Sequence, residues 1–170
     1  MKRLLYAFYV LLLIIILIPK EKLYFTFEEL LLEKNIVLSG ESLENRYLYL
    51  DIQNASVMMD NIKLATIENI RLTPWILFNQ ITISSVTFSP LYRPFFPGTI
   101  ETMTLTYSLF HPLSVQLHGE GDFGECNGDI DLIDQKVRLV FEATPELRRY
   151  PLLVFKLHTE KEGLVYETNF

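Results

Sequence analysis

Tyr47-Leu48-Tyr49-Leu50-Asp51-Ile52 sets Leu48, Leu50 and Ile52 against Tyr47, Tyr49 and Asp51 in strict alternation. Successive side chains of an extended chain point to opposite faces, so this spacing lines one side of a strand with aliphatic groups. Reading outward, the pattern recurs at Ile62 and Leu64, at Ile70 and Leu72, and at Ile81 and Ile83. It continues through Met103, Leu105 and Tyr107, Val115 and Leu117, Ile130 and Leu132, and Val137, Leu139 and Phe141, ending at Leu153, Phe155 and Leu157. Turn-forming residues separate these runs: Gln53-Asn54, Asp60-Asn61, Pro90 to Gly98, Gly119 to Gly128, Asp134-Gln135 and Thr144-Pro145. The pattern predicts a mainly β chain, one antiparallel sheet with one covered side. Within it, 128–133 and 136–141 form a hairpin about Asp134-Gln135.

Part of this pattern repeats. Ile67-Glu68-Asn69-Ile70-Arg71-Leu72-Thr73 returns as Ile100-Glu101-Thr102-Met103-Thr104-Leu105-Thr106, and Leu77-Phe78-Asn79-Gln80-Ile81-Thr82-Ile83 as Leu109-Phe110-His111-Pro112-Leu113-Ser114-Val115. Each copy reads as a strand, a turn or short helical segment holding a large apolar pair, and a second strand. Such units bury their faces by stacking side by side into one sheet, although chance matching among apolar strands yields similar pairs.

The amino-terminal end has a different character. Leu4-Leu5-Tyr6-Ala7-Phe8-Tyr9-Val10-Leu11-Leu12-Leu13-Ile14-Ile15-Ile16-Leu17-Ile18 is an unbroken apolar run between Lys2-Arg3 and Pro19-Lys20. As a helix it covers about 22 Å, which spans a ~30 Å hydrocarbon core if Lys2, Arg3, Lys20 and Lys22 snorkel or the bilayer thins. The run also has the length of a cleavable secretory signal. However, Leu17, Ile18 and Pro19 stand where cleavage needs small residues, which favours an uncleaved signal anchor. A buried core helix is the other reading, but a helix apolar on every side needs covering all round. The cations before the run place the following body outside the cytoplasm by the positive-inside rule. We therefore expect a transmembrane signal anchor over 1–22 and one β-rich domain over 23–170. After the anchor, Thr26 and Glu29 fit a capping box, with Phe25 stapled to Leu30, for a short amphipathic helix from Phe27 to about Lys34.

Charge and chemistry narrow the function classes. Removing Lys2 and Arg3 from the 15 cations leaves 13 against 21 carboxylates, a formal charge of −8 on the body. That balance argues against nucleic acid, whose phosphates need clustered cations, and against broad adhesion to anionic lipid. The single cysteine, Cys126, excludes an intramolecular disulfide. It reads as a small structural residue beside a turn, with a reactive thiol or a thiol-linked dimer as the minor alternative. His111, His118 and His158 lack the close spacing of zinc ligands, and His118-Gly119-Glu120-Gly121-Asp122 reads as a polar strand end. Asp129, Asp131 and Asp134 read as a solvated face and a turn rather than a cation cage. No hydrolase elbow, phosphate loop or dinucleotide fingerprint is present, so neither an enzyme, a metal nor a cofactor is expected. What remains is apolar surface. Pro90-Leu91-Tyr92-Arg93-Pro94-Phe95-Phe96-Pro97-Gly98 cannot form a central strand, and Trp75 and Phe78 flank a similar break after Pro74. Trp75, Phe78, Tyr92, Phe95 and Phe96 are thus candidates for partner docking, if they do not simply fold over an open end of the sheet.

The anchor, the phrase Pro19-Lys20-Glu21-Lys22-Leu23-Tyr24-Phe25 with its helix, and the broken strand Leu72-Thr73-Pro74-Trp75-Ile76-Leu77-Phe78 together resemble the type II secretion system protein N family and the wider AsmA-like envelope proteins. Gly119-Glu120-Gly121-Asp122-Phe123-Gly124 through Gly128-Asp129-Ile130-Asp131-Leu132 is similar to the glycine-punctuated strands of those proteins. The resemblance covers most of the chain, which is shorter than usual for that family. It implies a single-pass protein of a bacterial inner membrane, with a strongly curved, open or taco-like antiparallel sheet in the periplasm. By the same resemblance the protein assists an export machine and has envelope or secretion proteins as partners. AsmA-like relatives imply the alternative, an apolar groove that binds or shields lipid.

Overall fold

The computed structural model describes residues 6, 18–75, 77–92, 98–145, 147–160 and 163–169. Helix α1 (Lys20–Glu33) leads into β1 (Ile36–Ser39) and β2 (Ser42–Asn45). Seven longer strands follow: β3 (Leu50–Met59), β4 (Ile62–Pro74), β5 (Phe78–Phe88), β6 (Thr99–Ser108), β7 (His111–Gly121), β8 (Gly124–Asp131) and β9 (Lys136–Phe141). A 3-10 turn (Leu147–Arg149), the short helix α2 (Pro151–Val154), β10 (His158–Glu160) and β11 (Gly163–Asn169) complete the described chain. The apolar run Leu4–Ile18 lies outside the described residues except for Tyr6 and Ile18. Among the described residues, no helix is long and apolar enough to cross a membrane.

All strands join one antiparallel sheet in the order β1-β3-β4-β5-β6-β7-β8-β9-β11-β10, with β2 also on β3. β1 and β2 act as one edge strand, pairing Ile36 with Met59 and continuing through Asn45 with Leu50. They are interrupted at Gly40 opposite Asn54, where both residues have positive φ. The chain then meanders strand by strand to β9. β11 returns between β9 and β10, and Gly163 (φ 142°) is needed at its start because a Cβ there would lie 2.5 Å from the Phe141 carbonyl. The two sequence repeats fall on β4–β5 and β6–β7, which are neighbouring hairpins in the sheet.

Cross-strand partners share a face, so the register sorts residues into rows. One row reads Leu50, Leu72, Ile81, Leu105 and Leu117, and a second Ile52, Ile70, Ile83, Met103, Gly119, Cys126 and Phe141. Both are apolar and face the same way. Phe123, from the β7–β8 turn, meets Phe141 edge-on at 5.7 Å, and Leu147 is fully buried in the same core. Thr144 holds this cover in place: its hydroxyl donates to the Phe123 carbonyl and accepts from the Leu147 N–H. Beyond Asn69 the packing changes sides. Ile67 and Ile70 are both buried although three apart on β4, which has no left-handed residue, so apolar side chains project to both faces at that end.

Several expectations need correction. The sheet is neither strongly curled nor closed, since β1 and β10 lie at opposite ends of the strand order. Strong curvature needs bulges or glycine kinks repeated from strand to strand, whereas register shifts fall in β3–β4 and β6–β7 and the β4–β5, β5–β6, β7–β8 and β8–β9 pairs show none. The first helix starts at Lys20 behind Pro19 rather than at Phe27, so the boundary expected after Lys22 falls in its first turn. Thr26 accordingly caps nothing; its hydroxyl bonds the Lys22 carbonyl one turn back. Leu153, Phe155 and Leu157 do not alternate along a strand, because Pro151 opens α2 as a first-turn proline.

Candidate functional site

The interleaved rows are polar. Asp51, Arg71, Thr82, Thr104, His118, Asn127 and Val140 form one, and Thr73, Gln80, Thr106, Gln116, Asp129, Arg138 and Glu167 the next. Where these rows cross β6 to β9 they line an open trough of about 460 Å³ with Thr104, Thr106, Gln116, His118, Asn127 and Asp129 on its walls. The trough exists because hydroxyl, amide, imidazole and carboxylate groups alternate with the aliphatic residues whose side chains pass to the covered face. Gly128 borders it through its backbone, since its side-chain position lies in the row of Leu117 and Leu139 on the opposite face.

His118 is the titratable centre of this surface. Its Nδ1 lies 2.7 Å from Asn127 Oδ1 and its Nε2 3.3 Å from Glu120 Oε1, so the imidazolium form donates to both. The hydrogen bond to Asn127, then that to Glu120, raises the His118 pKa above its ordinary 6.5. A raised folded value means the favourable contribution is complete below the unfolded pKa and fades as pH climbs through the folded one. The site is solvent-exposed, so the effect is read on the residue itself. A proton NMR titration should place the His118 midpoint above 6.5, and Asn127→Ala should bring it down. An unchanged midpoint in the variant would remove Asn127 as the cause.

The other sequence candidates disperse. His111 begins β7 at one end of the sheet and His158 lies on the edge strand β10. Asp131 accepts from the backbone N–H groups of Ile133 (2.8 Å) and Asp134 (2.9 Å), which makes it a turn former. Asp122 accepts from the Thr99 N–H at 2.9 Å and ties β6 to the β7–β8 turn. Cys126 is buried opposite Phe141, and burial pushes its thiol up to about 12, so it stays protonated and shielded. Among the docking candidates, Trp75 stacks on Phe78 at 5.2 Å, and its buried Nε1 has no hydrogen-bond partner among the described residues. Phe78 is exposed, Tyr92 is half-buried, and Phe95 and Phe96 lie outside the described residues.

The structure therefore separates Trp75 and Phe78, at the β4–β5 turn, from Tyr92 at the far end of β5. Thr104, Thr106 and Gln116 carry no signal of a site in the sequence. That they meet His118 and Asn127 depends on strand register, which alternation alone does not fix. Comparison of the chain with protein families, with curated proteins and with solved structures found no match.

Proposed function

We propose that the chain is a single-pass protein of a bacterial inner membrane, with 1–22 as an uncleaved helical anchor and the sheet in the periplasm. There it serves as a non-catalytic accessory or assembly protein of an export machine of the type II secretion kind. The observation that carries this reading is the trough on β6 to β9. A wide, open surface of threonine, glutamine, asparagine, aspartate and histidine offers directional hydrogen bonds across several strands. Such a surface suits a polar segment of another protein. Leu117 and Val140 are the aliphatic residues in its lining, too few to enclose an acyl chain, and the apolar rows of the opposite face are already covered around Phe123 and Leu147, so lipid shielding is the second reading.

Photocrosslinking in living cells tests this choice. A photoreactive residue at Thr106 or Gln116 should give one discrete protein adduct, while the same group at Asp60, in the β3–β4 turn, should not. A lipid adduct, or no adduct from either trough position, would overturn the docking reading.

A further inference from the structure

Every second turn of the meander falls at the same end of the sheet. The segment before β3 and the β4–β5, β6–β7 and β8–β9 turns share one rim, and the Leu109 N–H bonds the Leu77 carbonyl across two of them. Turns normally carry small and polar residues. Here the rim exposes Tyr47, Leu77, Leu109, Phe110, Leu132 and Ile133, most of them at least half exposed. Phe110 at 74% and Tyr47 at 81% have almost nothing to pack against. Trp75 lies on the same rim, stacked on Phe78.

The start of α1 identifies what covers this rim. Glu21 Oε1 accepts from the Asn45 side-chain amide at 2.9 Å, and Asn45 pairs with Leu50 at the rim end of β3. Ile18, the last residue of the apolar run, is three residues before Glu21, a reach of about 10 Å at most. Ile18 is thus held close to the rim, so a span ending there would meet the body beside the apolar turns. We infer that the rim is a membrane-contact surface: Leu77, Leu109, Phe110, Leu132 and Ile133 enter the headgroup and upper acyl region of the same bilayer that holds Leu4–Ile18. The inference rests on the anchor reading of that run. It deepens it by fixing the sheet with its strands directed away from the bilayer and the polar trough lifted above the surface. Trp75 is partly exposed beside these turns, and indole rings favour the interface.

The chain has one tryptophan, Trp75, so fluorescence reports on this rim alone. The full-length protein is reconstituted into phosphatidylethanolamine and phosphatidylglycerol vesicles, with or without phospholipid brominated on the acyl carbons nearest the headgroup. Alkaline carbonate extraction is run on the same vesicles. The expected result is retention in the membrane pellet together with loss of about half the Trp75 emission to the brominated lipid, as befits an interfacial indole. The variant Leu109→Ser, Phe110→Ser, Ile133→Ser changes only exposed side chains. It should keep its circular dichroism and stay in the pellet, yet lose most of the quenching. Release by carbonate would bring down the anchor reading and this inference with it. Retention with unquenched Trp75, or with quenching that the triple variant leaves intact, would overturn the rim contact alone, the former leaving a protein as the remaining occupant of the rim.

Discussion

Gly128→Val should destabilise the sheet by about 3 kcal/mol, seen as a large fall in the midpoint of thermal unfolding followed by β-sheet circular dichroism in detergent. A Cβ at Gly128 would lie 2.4 Å from the Arg138 carbonyl oxygen, 2.7 Å from Leu139 Cδ2 and 3.2 Å from Leu139 Cα. Two of those three atoms belong to the backbone of β9, which is held on both sides, by β8 and by β11. The strand cannot retreat without breaking its pairing with one of them. Trimming the side-chain contact should therefore not help: Leu139→Ala in the Gly128→Val background relieves the 2.7 Å approach and leaves the 2.4 Å one. Recovery of stability in that double variant would show that side-chain crowding, rather than the close β8–β9 backbone approach, sets the cost.

Gly128 also marks where sequence reading stops. Alternation at Leu48, Leu50 and Ile52 and the turn residues Asp60-Asn61 and Asp134-Gln135 were sufficient to expect an antiparallel sheet, because period and turn chemistry are local. The repeat at Ile67 and Ile100 was readable for the same reason. Register is not local. It decides that Gly128 faces Leu139, that His118 meets Asn127, and that Asp51 lies against Arg71 rather than in water. Asp51 alternates with aliphatic neighbours as an outward residue should, yet it is almost fully buried. The Arg71 guanidinium bonds both carboxylate oxygens, at 2.7 and 3.1 Å, and also lies over the Tyr49 ring. The apolar rim was equally invisible, since Leu77, Leu109, Phe110 and Ile133 come together only once the meander brings alternate turns to one end. Leu153, Phe155 and Leu157 show the opposite failure, a short apolar spacing that a helix-initiating proline overrode.

Leu50→Ala should cost about 3 kcal/mol, within the range for truncating a fully enclosed leucine, with the same thermal unfolding as readout. Leu50 has no exposed surface and pairs with Asn45 on one side and Leu72 on the other, so it begins an apolar row shared by five strands. Its neighbours are poorly placed to collapse into the gap. Asp51 is held by Arg71 on the other face, Asn45 is bound to Glu21 at the start of α1, and Ile52 is itself enclosed in the next apolar row. Ile62→Ala supplies the comparison. Ile62 also lies in a paired strand, but it is 48% exposed at the opposite end of the sheet, and its truncation should cost about 1 kcal/mol or less. A larger loss at Leu50 reports burial rather than strand propensity, because the β-branched Ile62 is the stronger strand former of the two. Equal losses would mean that Leu50 is not enclosed as placed, and that the contact joining α1, β2 and β3 at the rim does not pack the way the Glu21–Asn45 bond implies.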